Sequence, residues 1–121
     1  MRGRYPMTIT LYGIPNCDTV RKARAWLAER HIEAEFHDFK KAGVPSKALD
    51  QWIDALGHDA LLNRRGTTWR RLDDDLRSKA EAGAKGARAL MLAEPGVIRR
   101  PVIDWHGRFT VGFDPVQWPP T

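Results

Sequence analysis

The sequence predicts an α/β fold with a four-stranded mixed sheet, and three observations carry that class. Residues 8–38 run through strand, helix and strand signals, a βαβ opening. Residues 44–95 hold short apolar stripes at helical spacing. Residues 102–111 hold two strand segments around His106-Gly107, a hairpin signal.

Thr8-Ile9-Thr10-Leu11-Tyr12 alternates branched and aromatic residues and stops at Gly13 and Pro15, so a strand is predicted over 8–12. Asn16-Cys17-Asp18-Thr19 supplies helix-starting side chains, and Val20, Ala23 and Leu27 share one face of a helix over 18–31. Glu33-Ala34-Glu35-Phe36-His37-Asp38 alternates and predicts the second strand. Two strands joined in this way run parallel, with a right-handed crossover if they share a sheet. Lys40-Lys41-Ala42-Gly43 reads as a loop. Ser46 caps the clearest helix, with Leu49, Trp52, Ile53 and Leu56 on its apolar face and Gly57 as its stop. Trp52 is therefore a core residue.

A short turn is predicted at Leu61-Leu62-Asn63, broken at Gly66-Thr67-Thr68. Leu72 and Leu76, then Ala87, Leu90 and Met91, predict two more short helices closed by Pro95-Gly96. The hairpin follows, then one turn at 114–118. Trp118-Pro119-Pro120 reads as a frayed end. Strands in this order, with helices covering the sheet, form a thioredoxin-like arrangement.

At 121 residues the chain is too short for two ordinary domains, and a single domain over 7–118 is expected. Residues 1–6, with Arg2 and Arg4, read as a disordered extension, and 119–121 as a tail. Apolar residues make up 42% and charged residues 29%, which excludes a disordered, collagen-like or disulfide-built protein. No apolar run is long enough to span a membrane, and no signal-peptide core precedes the first strand; a cytoplasmic location is expected. The net charge of +5 favours an anionic partner: a small anion, an acidic protein face or nucleic acid. Direct nucleic-acid binding has no motif behind it. The four histidines lack ligand spacing, so no metal is expected.

Cys17 is the single cysteine, which excludes an internal disulfide. It stands where the first strand passes into the first helix. Unpaired N–H groups and the helix dipole at such a position stabilise a thiolate, the nucleophilic form. Arg21, one turn later, adds a fixed positive charge. A buried structural cysteine is the competing reading of the residues alone.

Three segments then carry a resemblance. Tyr12-Gly13-Ile14-Pro15-Asn16-Cys17-Asp18-Thr19-Val20-Arg21 resembles the active-site segment of the arsenate reductase (ArsC)/Spx family, nearest its YffB-like branch. Leu62-Asn63-Arg64-Arg65-Gly66-Thr67-Thr68-Trp69-Arg70 and Ile98-Arg99-Arg100-Pro101-Val102 match further segments in the same order. The resemblance implies a thioredoxin-like fold with a helical insertion, and a reactive Cys17 that attacks an oxyanion or a sulfur. It implies an anion-binding arginine ahead of a cis-proline, matched by Arg100 and Pro101. It implies that Asn16, beside the nucleophile, binds substrate or glutathione together with Arg100 and Pro101, and that Arg64 or Arg65 falls near a further substrate-binding arginine.

Two departures bear on function. Val111-Gly112-Phe113 stands where the arsenate reductases carry another arginine, and Val20 stands where the Spx branch carries a second cysteine. With one thiol, the chain depends on an outside thiol to resolve its adduct. The expectation is a single-cysteine reductase with glutathione as co-substrate, no tightly bound cofactor, and glutaredoxin as a possible recycling partner. Its substrate would be arsenate, another oxyanion or a disulfide. The alternative is an Spx-like adaptor that binds RNA polymerase or another acidic protein surface.

Overall fold

The computed structural model describes residues 8–120. The extension expected over 1–6 lies outside the described residues, as do Met7 and Thr121. The chain forms two compact units. One joins the segment through Asp38 to the segment from Arg100 onward; the other is Phe39–Arg99.

The first unit holds the sheet. Strand β1 is Ile9–Gly13, helix α1 is Asp18–Glu29 and strand β2 is Ala34–Asp38. Strands β3, Val102–Asp104, and β4, Phe109–Val111, complete it in the order β2-β1-β3-β4. β1 runs parallel to β2, with Leu11 beside Phe36, and antiparallel to β3, with Leu11 beside Ile103. β3 and β4 are antiparallel. This is the four-stranded mixed sheet the sequence predicts.

Alternation along β1 turns Ile9 and Leu11 to one face. There they meet Val20, Ala23 and Leu27, the predicted stripe of α1, together with Ile103 and Trp105. Each large apolar side chain sealed in this layer contributes about 1.5–3 kcal/mol. α1 stops at Glu29 rather than 31 because His31 adopts a left-handed backbone with φ 57°. Its N–H donates to Ala28 O and that of Ile32 to Leu27 O, so the last carbonyls are satisfied and the chain turns away.

The hairpin is as expected. His106 and Gly107 both have positive φ, 60° and 97°, and Trp105 N–H donates to Arg108 O at 2.7 Å. Such a two-residue turn matches the twist of the strands it joins. The frayed end expected at Trp118 is corrected. After a 3₁₀ turn at Pro115–Gln117, Trp118 is 7% exposed and packs edge-on against Trp26 and Phe113, with Trp105 5.5 Å away. The value of burying an indole outweighs the loop character of the prolines beside it.

The second unit is helical: α2 (Phe39–Ala42), α3 (Ser46–Leu56), α4 (His58–Leu61), α5 (Thr67–Arg71), α6 (Asp74–Ala82) and α7 (Ala84–Ala93). α2 replaces the loop expected at Lys40–Gly43: Phe39 is buried, and Gly43 N–H closes the turn on Phe39 O. α3 buries Leu49 and Trp52 and stops before Gly57 as predicted, but Ser46 is its first residue and not its cap: Pro45 holds the N-cap position, and no side chain caps that end. Asp73 caps α6 by accepting from Leu76 N–H. Arg88 of α7 donates to Asp50 of α3 at 2.6 Å. Leu62 bridges Ile98, with Asn63 N–H on Val97 O and Arg99 N–H on Leu61 O, so residues 61–63 lie alongside 97–99.

Candidate active site

Cys17 occupies the N-cap of α1 in extended conformation, φ −110° and ψ 126°, and is half-buried. Pro15 and Asn16 form the turn that brings it there, with Asn16 exposed beside it. Its carbonyl accepts from Arg21 N–H at 2.9 Å, which starts the helix. Its sulfur accepts from the N–H groups of Val20 and Thr19 and from the Arg100 side chain.

These contacts compete over the thiol's proton. Burial pushes the thiol up and is the largest single influence. The Val20 N–H, the Arg100 hydrogen bond, the Thr19 N–H and the Arg100 charge all favour the anion. Together they outweigh burial, and the thiol lies below its ordinary value. The arrangement suits a thiolate nucleophile held by two backbone donors and one guanidinium.

Arg100 reaches the sulfur from just ahead of β3. The Arg100–Pro101 peptide is cis, Pro101 is buried, and its carbonyl accepts from Gly112 N–H at 2.9 Å. Arg21 is differently engaged: its guanidinium forms an ion pair with Asp18 three residues back. Its side chain is more than half exposed.

Within the helical unit, Arg64 is held at 2.7 Å by each of Asp59 and Glu81. The Glu81 bond, opposed by partial burial and aided by Asp59, raises its pKa above the ordinary arginine value. Its guanidinium also lies 5.8 Å from the centroid of Trp69, which is buried and anchors this segment. Arg65 is exposed, and its side chain makes no ion pair among the described residues. Both arginines line a hollow of about 410 Å³ with Asp59, Leu62, Asn63 and Arg99. Arg99 was not a sequence candidate. Its signal was the pairing of 61–63 with 97–99, which a single sequence does not display.

The profile of the ArsC family matches residues 12–119. The chain belongs to the ArsC family. It is similar to a solved structure named YffB, 44% identical, with a TM-score of 0.86 over 92% of this chain and 96% of that one. An arsenate reductase (ArsC) related protein from Brucella melitensis is 46% identical, with a TM-score of 0.74 over 96% and 95% of the two chains. The global transcriptional regulator Spx of Listeria innocua is 33% identical over 113 residues, 88% of this chain and 80% of that protein. Membership in the ArsC family sets the chain in a family of thiol reductases, with a thiol-redox partner in general, and Spx regulators are among its relatives. Among the described residues no helix is long and apolar enough to cross a membrane.

Proposed function

We propose that the protein is a single-cysteine thiol reductase that draws its electrons from glutathione. The observation that carries this is the Cys17 sulfur at the start of α1, held below its ordinary pKa by Val20 N–H, Arg100 and Thr19 N–H. Arg100 would meet the negative charge of an incoming oxyanion or of a glutathione carboxylate.

With an oxyanion such as arsenate, the Cys17 thiolate bonds to the central atom and a hydroxide leaves as water. A glutathione thiolate then attacks the Cys17 sulfur, and the electron pair of the sulfur–oxyanion bond passes to the central atom. That atom is reduced by two electrons, and a Cys17–glutathione disulfide remains. A second thiol, from glutathione or glutaredoxin, attacks the glutathione sulfur and releases the Cys17 thiolate. With a disulfide substrate the first step is thiol exchange, and resolution is the same. The absence of a second cysteine from the chain is what requires the outside thiol.

The test is glutathione-dependent turnover of arsenate and of a glutathione mixed disulfide, followed through NADPH consumption by glutathione reductase. The wild-type protein should turn over at least one of them, and Cys17→Ser should fall to background. Equal turnover by the variant would remove the proposal. A second reading, an adaptor on an acidic face of RNA polymerase, is favoured by the Spx relatives and by the net charge of +5. It predicts stoichiometric recovery of the polymerase with the tagged protein and no thiol turnover.

A further inference from the structure

Gly13 ends β1, directly before the turn that carries Cys17, and it is buried. A side-chain carbon built on Gly13 would stand 2.8 Å from Val20 Cγ2, 3.7 Å from Val20 Cγ1 and 3.9 Å from Arg100 Cβ. The last two are ordinary contacts. The first is far inside the 3.5–4.0 Å at which carbon atoms rest together.

Val20 has little room to yield. A valine in a helix holds essentially one side-chain rotamer, and Val20 is fully buried in the layer formed by Ile9, Leu11 and Ile103. Relief would therefore come from the first turn of α1 moving away from β1. That turn carries the N–H groups of Thr19 and Val20 that face the Cys17 sulfur. The stem of Arg100, whose head group donates to the same sulfur, borders the same space.

We infer that Gly13 is a positioning residue: its missing side chain lets Val20 close on β1 and so sets the α1 N–H donors and Arg100 around the Cys17 sulfur. The inference rests on the reading of Cys17 as nucleophile. It also couples two positions, because a branched residue at 20 requires a bare backbone at 13.

The test is the rate of Cys17 alkylation by iodoacetamide against pH, in wild type, Gly13→Ala, Val20→Ala and the double variant, with circular dichroism as the folding control. The wild-type profile should rise below the pH of a free thiol. Gly13→Ala should shift that profile upward and slow alkylation at pH 7 by about threefold or more. In the double variant the obstructing methyl groups are gone, and the rate should return to within about twofold of Val20→Ala. A folded Gly13→Ala with the wild-type profile overturns the inference alone. If Gly13→Ala does not fold, the double variant decides. A fold and rate matching Val20→Ala support the inference; failure to fold or a slowed rate overturns it. A free-thiol profile in the wild type removes the reading of Cys17, and the inference with it.

Discussion

The side chain of Arg100 hydrogen-bonds the Cys17 sulfur, although most of the chain lies between them in sequence. The bond joins the start of α1 to the cis Arg100–Pro101 step ahead of β3. β1, paired to β3 through Leu11 and Ile103, is the scaffold that brings the two together.

Arg100→Ala should therefore raise the Cys17 pKa and slow alkylation at pH 7 by about threefold to tenfold, since a charge-assisted hydrogen bond to the thiolate is lost. Arg100→Lys, which keeps the charge without the planar fork, should fall between the two. A thiol pH profile recorded for the three proteins checks the order.

Arg21→Ala should leave the alkylation profile within about twofold of wild type. One turn beyond Cys17, Arg21 is expected from the sequence to help lower the thiol pKa, but its guanidinium is paired with Asp18 at an exposed position. The same profile, set beside that of Arg100→Ala, ranks the two arginines directly.

Arg64→Ala should lower stability by about 1 kcal/mol, the scale of well-formed pairs near the surface. Arg64 binds Asp59 and Glu81 together. Its effect and that of Glu81→Gln should thus be less than additive in urea unfolding. Additive losses would show that the pair carries no coupling.

Stability should also depend on pH through Cys17. Because the folded thiol ionises below its ordinary value, the unfolded chain holds a proton that the folded chain has released. This is so between the folded pKa and about 8.5. Stability from this group therefore grows as pH rises across that window, is complete above it, and is lost as pH falls through the folded pKa. Unfolding free energies of wild type and Cys17→Ser, measured under reducing conditions, should diverge in favour of wild type as pH rises from the folded pKa to about 8.5. Parallel curves would mean that the fold does not favour the anion.

Much of this was legible in the sequence where the signal was local. Gly57 ends α3 where the sequence predicts, because a stop residue acts within a turn of the helix it bounds, whereas Ser46 falls one position inside the helix, behind Pro45. Cys17 was legible for the same reason: a strand, a Gly/Pro turn and helix-starting residues surround it within a few positions. The Asp18–Arg21 pair was local too, and the carboxylate three residues before the arginine was the clue to its engagement. Long-range features were harder. The place of Trp118 in the core depends on Trp26, Trp105 and Phe113, from distant parts of the sequence, while Pro119 and Pro120 beside it spoke for a loose end. Arg99 borders the hollow of Asn63 and Arg65 only because Leu62 bridges Ile98. The role of Arg100 came from the family resemblance, since nothing local to it names Cys17 as its partner.

The strand order β2-β1-β3-β4 has a consequence for how the chain is made. β1 and β2 leave the ribosome early, but the neighbour on the other side of β1 is not translated until the whole of Phe39–Arg99 has been synthesised. During that interval the nascent chain carries β1 with one flank open, the kind of edge that recruits stray strands. It also carries a cysteine sulfur whose guanidinium partner does not yet exist. Cys17 is therefore first present in a setting unlike the finished one.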